Sequence, residues 1–227
     1  HGRGTSQELA ARHLRKPRFF AQETAKFRQI KPDKGPKDAM PSNRAPTRIQ
    51  KKNRAAILEA ALDVFSAQGF RGATLDRIAS AAGLSKPNLL YYFPSKEAIH
   101  QAVLARLLDT WLDPLRAIDP DGDPLEEILA YVRRKLQMSR DYPRESRLFA
   151  NEIVQGAPRI EPVLSRDLKS LVDEKTTLIE SWMRQGLIAQ VHPYHLVFSI
   201  WSLTQHYADF DVQIRAVLDD EDPFAAA

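Results

Sequence analysis

The chain has 227 residues and no cysteine, which excludes disulfide bonds, thiolate catalysis and cysteine-bound metals. Its longest nearly apolar run, at 196–203, is too short to cross a bilayer, and no signal-peptide pattern is present, so we expect a cytoplasmic protein without a membrane partner. Lys and Arg outnumber Asp and Glu by 15 to 4 in residues 1–54, but are outnumbered by 25 to 18 in residues 55–227, which indicates a polyanionic partner near the N-terminal end.

The N-terminal segment, residues 1–46, has the composition of a basic arm. It contains several prolines, few β-branched residues and no sustained hydrophobic period. Such a composition cannot bury enough apolar surface to fold alone, so we predict that this arm is disordered. Its positive charge would add sequence-independent, salt-sensitive affinity for nucleic acid.

From Thr47 onward the hydrophobic pattern is helical almost throughout, which predicts an all-α fold. We expect a helix-turn-helix unit at 47–94 and a helical effector-binding and dimerisation domain at 95–227. The first helix of the unit has apolar residues at the spacing of one helix face and stops at Gly69. These apolar residues are Ile57, Leu58, Ala61, Leu62 and Phe65.

Two short predicted helices follow, joined by a turn that contains Gly83. Thr74 is a good N-cap for the first of them and Ser85 for the second. Pro87 is tolerated in the first turn of the second helix, and Pro94 ends it. A longer helix followed by two short helices around a glycine-containing turn has the spacing of a helix-turn-helix unit.

In such a unit, the second short helix lies in the major groove and its N-terminal residues meet base edges. A lysine there can donate to guanine, and an asparagine can pair with adenine. Leu89 and Phe93 are four residues apart, so we expect both to point into the core of the unit. The residues predicted to meet the bases are Ser85, Lys86, Pro87 and Asn88.

Tyr91 and Tyr92 then fall on other faces of the same helix. A tyrosine at a groove edge can lay its ring along the sugar and donate its hydroxyl to a phosphate. Lys96 begins the next helix, where an ammonium and free N–H groups together form an anion site. We interpret these three residues as phosphate contacts and add Thr74 to the same DNA-binding surface. The alternative is that one or both tyrosines cover a helix junction.

The segment "TLDRIASAAGLSKPNLLYYFPSKEAI" at 74–99 resembles the DNA-binding signature of TetR-family transcriptional regulators. It departs from that pattern at Leu90, where many members have Tyr, and at Tyr92, where many have His. Later segments resemble the members that regulate pyrimidine utilisation: "SRDYPRESRLF", "DLKSLVDEKTTLIESW" and "TQHYADF". The resemblance implies an all-helical homodimer bound to a palindromic double-stranded operator, acting as a repressor that uracil or thymine releases.

The second domain is predicted to begin with a long helix capped by Ser95, followed by helices at 123–141, 143–155, 160–185 and 192–217. The last of these has two apolar stripes, so one side can face its own domain and the other a second subunit. One stripe consists of Leu196, Ile200, Leu203, Tyr207, Phe210 and Ile214. The other includes Val197, Trp201 and Ala208.

A small, flat pyrimidine needs an apolar slot with a few fixed polar groups. The amide of Gln205 offers a donor and an acceptor side by side. Trp201, one turn earlier, can form one wall of the slot, and Trp111 can form the opposite wall. The family resemblance points to these positions as well. The candidate effector-binding residues are Trp111, Leu112, Lys135, Ser139, Trp201 and Gln205.

Other interpretations are open. Trp111 and Trp201 are also ordinary core residues, and Gln205 could bond across a dimer interface. The chain lacks the catalytic, phosphate-loop and dinucleotide-binding motifs of enzymes, and His192 and His195 have no nearby carboxylate, so we expect neither an enzyme nor a metal site. No cofactor is expected besides the effector. The alternatives are a constitutive DNA-binding protein and a TetR-type repressor that senses an unrelated small molecule.

Overall fold

A computed structural model of the chain describes residues 47–219 and 222–224, and these residues form helices joined by short turns, without a strand. The predicted all-α fold is confirmed, whereas the predicted arm at 1–46 lies outside the described residues. The helices are α1 (Arg48–Gly72), α2 (Leu75–Ala81), α3 (Lys86–Tyr92), α4 (Lys96–Arg116), α5 (Pro124–Asp141), α6 (Pro143–Val154), α7 (Glu161–Val163), α8 (Lys169–Arg184), α9 (Pro193–Asp209) and α10 (Asp211–Val217).

Helices α1 to α3 pack around a small apolar core in the helix-turn-helix arrangement that the spacing predicts. Each begins after a hydroxyl side chain, of Thr47, Thr74 or Ser85, that accepts a hydrogen bond from a first-turn amide. Leu89 and Phe93 are buried in this core, in agreement with their four-residue spacing. The local sequence therefore fixes both the beginnings of these helices and the face of α3 that points inward.

Two glycines shape the turns of this unit. The backbone of Gly69 has a φ of 67° and that of Gly83 a φ of 69°, a region that residues with a side chain rarely adopt. Gly83 allows the tight turn between α2 and α3. At Gly69 the chain leaves helical geometry as predicted, but one further turn follows, so α1 ends at Gly72.

Helix α4 connects the two parts of the molecule. It has 21 residues, which corresponds to a length of about 31 Å. Ile99 and Val103 belong to the core of the DNA-binding unit, whereas Leu115 belongs to a second core in the C-terminal part. Pro114 lies inside the last turn of the helix. Helix α4 therefore contributes side chains to both cores.

The C-terminal part is a bundle in which α9 packs against α5, α6 and α8. Val197, Ile200 and Ala208 point into the bundle, whereas Leu203 is 70% exposed and Phe210 is 53% exposed. The prediction that α9 has one inward and one outward apolar side is confirmed. The division into stripes was wrong for Ile200, which lies on the inward side and not with Leu203.

The single helix predicted at 192–217 is two helices, because the backbone leaves helical geometry at Phe210, with φ −114° and ψ 29°. Arg147 on α6 donates a hydrogen bond to the carbonyl of Ala208 at 3.2 Å. This carbonyl would otherwise accept from an amide in the next turn of a continuous helix. The prediction failed here because a contact from another helix ends α9.

The helix predicted at 160–185 is also interrupted. It consists of α7, a π-helical segment (Leu164–Leu168) and α8. The side chains of Ser165 and Arg166 donate to the carbonyl of Pro162 at 3.4 and 2.9 Å. Such side-chain bonds compete with the α-helical pattern and accompany its local widening.

Helix α6 fastens the C-terminal bundle to the DNA-binding unit. Arg144 donates to Glu59 on α1 at 2.9 Å, to Asp63 on α1, and to its neighbour Glu145 at 2.7 Å. Burial of the guanidinium lowers its pKa, but the hydrogen bonds that it donates to Glu145 and Glu59 outweigh this effect, so the pKa of Arg144 is raised. Leu148 extends the same contact into the core of the DNA-binding unit.

Candidate DNA-binding surface and effector pocket

The residues predicted to meet DNA bases are exposed at the beginning of α3: Ser85, Lys86, Pro87 and Asn88. The Lys86 ammonium lies 2.9 Å from the Asp76 carboxylate on α2, and both side chains are largely exposed. An exposed ion pair contributes little to stability, so a DNA group can replace this carboxylate at small cost. Thr74 is exposed beside them and caps α2 through the amide of Arg77.

The two adjacent tyrosines have different environments. Tyr91 is 71% exposed, and its hydroxyl accepts a hydrogen bond from the Gln50 amide at 3.2 Å. Tyr92 is half-buried against the core of the unit, and its hydroxyl accepts from the Asn53 amide at 2.9 Å. The rings meet edge to face with centroids 5.1 Å apart. Tyr92 therefore also covers the junction of α1 and α3, while the exposed Tyr91 connects the same two helices at their surface.

Lys96 is bonded to the protein at the start of α4. Its ammonium donates to the carbonyls of Phe70 and Ala73 at 2.9 and 3.0 Å, and it lies 4.4 Å from the centre of the Phe70 ring. These carbonyls lie at the end of α1, where helical partners are missing. Lys96 thus ties α1 to α4, a role that the sequence did not indicate. Its contact with a phosphate stays a prediction. Because the two carbonyls engage two of the three N–H groups of the ammonium, one N–H group is left for such a contact.

A buried polar stripe runs along α5. Tyr131, Lys135 and Ser139 are four residues apart, so they share one helix face, and they are 3%, 2% and 1% exposed. The hydroxyl of Ser139 has no hydrogen-bond partner among the described residues. Buried polar atoms nearly always have a partner, so this hydroxyl marks a place that a further group can complete.

Helix α4 places Trp111 against this stripe, and both Trp111 and the adjacent Leu112 are buried. The Lys135 ammonium lies 5.5 Å from the centre of the Trp111 ring, and the Tyr142 ring meets this indole edge to face at 6.4 Å. The indole N–H of Trp111 is buried and also lacks a partner within the described part of the chain. The region therefore contains a second unpaired donor.

Helix α9 presents Trp201, Gln205 and Asp209, again at four-residue spacing. The indole N–H of Trp201 donates to the Tyr131 hydroxyl at 2.6 Å, and the Asp209 carboxylate accepts from the Ser146 hydroxyl at 2.6 Å. Gln205 lies between these two fixed points. It is half-buried, and its amide makes no hydrogen bond with another described residue.

Burial shifts the protonation of the groups in this region. It lowers the pKa of Lys135 to about 7, although the nearby Asp209 carboxylate opposes the shift. It raises the pKa of Asp209, which the Ser146 hydrogen bond and the charge of Arg147 counteract. It raises the pKa of Tyr131 to about 12, so this hydroxyl stays neutral. The lysine is therefore close to half protonated at neutral pH.

The effector residues predicted from the sequence are only partly joined by contacts. Trp111, Lys135 and Ser139 form one buried cluster between α4 and α5, and Trp201 reaches the same stripe through Tyr131. Leu112 is buried on α4, and Gln205 is half-buried on α9 one turn after Trp201. Their roles as ligand contacts stay predictions. The residues that sequence reasoning missed are Tyr131, Tyr142 and Ser146.

The first of these omissions could have been avoided. Tyr131 lies one turn before Lys135 on the polar stripe, and that spacing is visible in the sequence. Nothing in the sequence indicates that Ser146 meets Asp209, because the two are 63 residues apart.

Family models match both parts of the chain. The model for bacterial regulatory proteins of the tetR family matches residues 57–103, and a model described as YcdC-like protein, C-terminal region, matches residues 104–226. The HTH-type transcriptional regulator RutR of Escherichia coli O157:H7 is 54% identical over 171 residues, which are 75% of this chain and 81% of that relative. The chain belongs to the TetR family of transcriptional regulators. RutR of Escherichia coli K12 is 53% identical with the same coverage.

Solved structures of TetR-like regulators show the same fold. A putative transcriptional regulator from Streptomyces coelicolor, SCO4942, has a TM-score of 0.61 at 24% identity, covering 76% of this chain and 89% of that one. AibR in complex with isovaleryl coenzyme A and operator DNA has a TM-score of 0.56 at 21% identity, covering 69% and 85%. At these identities the likeness concerns the fold alone.

Membership of the family confirms the resemblance first seen in the segment at 74–99. TetR-type regulators bind operator DNA and small-molecule effectors, so the chain is a ligand-responsive transcriptional regulator, and its relatives are regulators as well. The two family models meet inside α4, which contributes to both cores. Across residues 47–219 and 222–224, no helix combines the length and apolar character required to cross a membrane.

Proposed function

We propose that this regulator is a repressor that leaves its operator when it binds a pyrimidine such as uracil or thymine, and that it acts by binding, without catalysing a reaction. One observation carries the proposal: Trp111 and Ser139 hold unpaired donors in a buried region beside Lys135. A small polar ligand would complete these groups. The resemblance of the segments at 139–149, 167–182 and 204–210 to regulators of pyrimidine utilisation supports the same ligand class.

The DNA side of the proposal uses the exposed surface of α3 and its neighbours. The N-terminal residues of α3 would read bases in the major groove, and the tyrosines would set the register on the phosphate backbone. The base-reading set is Ser85, Lys86, Pro87 and Asn88. The backbone set is Thr74, Tyr91, Tyr92 and Lys96. The bonds from Gln50 and Asn53 support this assignment, because they hold the two hydroxyls in place before DNA arrives.

A second copy of the chain would cover the outward face of α9 and α10. Leu203, Phe210, Val212 and Val217 are exposed there by half or more of their surface. Large apolar side chains exposed together on neighbouring helices often mark a protein interface. A homodimer with twofold symmetry would present two recognition helices to the half-sites of a palindromic operator, about 34–36 Å apart.

Uracil fits the chemistry of the pocket. Its ring is flat and apolar on both faces, which suits the indoles of Trp111 and Trp201, and its edge alternates carbonyl acceptors with N–H donors. Gln205 can match one such edge with its own donor and acceptor. With eight heavy atoms and a ceiling of about 1.5 kcal/mol per atom, the binding free energy of uracil cannot exceed about 12 kcal/mol, so we expect a dissociation constant nearer micromolar than nanomolar.

Coupling between the two sites would run through α4 and α6. Helix α4 carries Lys96 at its DNA end and Trp111 at its pocket end, so a ligand that prefers one tilt of α4 would change the spacing of the recognition helices. Helix α6 adds a second connection. It contacts Asp209 through Ser146, and α1 through Arg144.

A fluorescence titration tests the pyrimidine proposal. The purified protein is titrated with uracil, thymine, cytosine and uridine while tryptophan emission is followed. We expect saturable binding of uracil or thymine, weakened at least about tenfold in Gln205→Ala through loss of its hydrogen bonds. Gln185→Ala, which removes an exposed amide at the C-cap of α8, is the matched control and should bind normally. No response to any of the four would instead favour a TetR-type repressor of an unrelated small molecule.

A release assay tests repression and coupling. DNA selected from a random library by the wild-type protein serves as the operator, and uracil is added to the complex. We expect release from the wild type, whereas Trp111→Ala should bind the same DNA and fail to release it. If Trp111→Ala releases DNA with normal sensitivity to uracil, α4 does not couple the pocket to the DNA-binding surface. If uracil strengthens the DNA complex, the protein is not a repressor of the proposed kind.

A further inference from the structure

The effector pocket contains more unpaired donors than acceptors. The indole N–H of Trp111, the hydroxyl of Ser139 and the ammonium of Lys135 make no hydrogen bond with another described residue. On the opposite side, Gln205 offers one carbonyl, and the Asp209 carboxylate is already bonded to a hydroxyl. A ligand that satisfies the α4 and α5 side must therefore bring acceptor oxygen to it.

A second buried lysine of the same domain, Lys175, does have a hydrogen-bond partner. Lys175 is 6% exposed, and its ammonium donates to the carbonyl of Ile118 at 3.3 Å and pairs with Glu174 at 3.1 Å. Lys135 is 2% exposed, makes no hydrogen bond or ion pair with another described residue, and lies 5.5 Å from the centre of the Trp111 ring. Burial of an ammonium without a hydrogen-bond partner is costly. A partner for Lys135 that arrives from outside would remove this cost.

We propose that Lys135 is the residue that selects the effector: its ammonium binds a ring carbonyl oxygen of a pyrimidine-2,4-dione and rejects a pyrimidine that carries an amino group at that position. The inference rests on the proposed pyrimidine-binding function. Trp111 and Ser139 can donate to the same oxygen or to the neighbouring one. An amino group at that position would place a donor against the Lys135 ammonium, which has no acceptor, and would leave the ammonium unpaired, a large penalty in a buried site.

The charge state of Lys135 gives this selection a pH dependence. The surrounding titratable groups are Asp209 and His206 on α9, Glu145 and Arg147 on α6, and the hydroxyls of Tyr131 and Tyr142. Asp209 is the one whose charge acts on the lysine, which has a pKa of about 7 in the free protein. A bound carbonyl stabilises the ammonium and raises this pKa, so binding takes up a proton above pH 7, and affinity falls as pH rises from there.

Calorimetric titration with uracil and with cytosine tests the inference. Each titration is run in two buffers of different ionisation heat, between about pH 6.5 and about 8.5, which reports the protons taken up. We expect proton uptake by the wild type with uracil, and an affinity that falls up to about tenfold per pH unit above 7. Lys135→Met should take up no proton, bind uracil about tenfold to a hundredfold more weakly, and lose most of the preference for uracil over cytosine.

The outcomes separate the two proposals. Lys175→Met is the matched control and should keep both the proton uptake and the preference. Lys135→Gln keeps a donor without the charge, so it should retain part of the preference for uracil and show no proton uptake. This variant also serves as a control in case Lys135→Met does not fold. Uracil binding without proton uptake, with the preference intact in Lys135→Met, overturns the inference and leaves the proposed function standing. No binding of either pyrimidine by the wild type overturns both.

Discussion

The proposed DNA-binding surface and the proposed effector pocket differ in how their polar side chains are paired. On the DNA side, the amides of Gln50 and Asn53 already hold the hydroxyls of Tyr91 and Tyr92. In the proposed pocket, the Trp111 indole N–H and the Ser139 hydroxyl are buried without a partner among the described residues. Lys135 is also buried and makes no hydrogen bond with a described residue.

The difference corresponds to the partner that each region is built to meet. DNA is a large polyanion whose charge supplies much of the affinity, so its binding surface mainly needs a fixed shape. A ligand of a few atoms has little surface to bury. It gains affinity where the protein's own polar groups were desolvated on folding and still lack a partner, because it adds hydrogen bonds without a further desolvation cost on the protein side.

The largest expected effect concerns the core beneath the DNA-binding surface. Leu89 of α3 is fully buried among α1, α2 and α4. Leu89→Ala should lower the free energy of unfolding by about 4 kcal/mol, since it removes a packed side chain and leaves a cavity. Leu90→Ala, the adjacent residue at 39% exposure, is the control and should change little. Thermal unfolding measures both, and equal effects would show that α3 does not pack as described.

The next effect concerns the connection between the two regions. Arg144→Ala leaves Glu145, which is 4% exposed, without its cation, so it should cost about 3 kcal/mol. Because Arg144 also bonds α1, the two parts should then unfold in separate steps. Arg140→Ala, which removes an exposed ion pair four residues earlier, is the comparison and should unfold as the wild type does. A single unshifted transition in Arg144→Ala would show that α6 does not couple the two cores.

Much of the DNA-binding unit could be predicted because its determinants are local. Thr74 and Ser85 cap the helices that they precede, Gly83 allows the turn, and the spacing of Leu89 and Phe93 places them inside. Each of these rules acts within a few residues of the chain. The all-α fold followed from the same kind of information.

The failures came from contacts between residues far apart in sequence. The break at Phe210 depends on Arg147 of α6, and the position of Asp209 depends on Ser146. The binding of Lys96 to the end of α1 depends on how α1 and α4 meet. In the pocket, residue types suggested Trp111 and Gln205, but the lack of a partner for a buried donor is a property of packing, which no spacing rule reports.

Ser139→Ala is expected to have two smaller effects of opposite sign, one on stability and one on uracil binding. Ser139→Ala removes a buried hydroxyl without a described partner, so the ligand-free protein should become about 1 kcal/mol more stable. Uracil binding should become several-fold weaker, because the same hydroxyl would donate to the ligand. Thermal unfolding with and without uracil measures both quantities. Ser146→Ala is the contrast, since its hydroxyl is bonded to Asp209 and its loss should destabilise the free protein. A loss of stability in Ser139→Ala would indicate that this hydroxyl has a partner in solution.

The smallest effect is expected on the DNA side, where the polar groups are paired. Asn53→Ala removes the donor to the Tyr92 hydroxyl and should cost about 1 kcal/mol, since the bond is partly buried. Tyr92→Phe removes the acceptor, and the double variant completes a cycle whose coupling free energy should be about 0.5–1 kcal/mol. If Asn53 positions Tyr92 for a phosphate, operator affinity should show a similar coupling. Coupling in stability without coupling in DNA binding would assign Tyr92 to the α1–α3 junction alone and leave Tyr91, the exposed ring, as the phosphate contact.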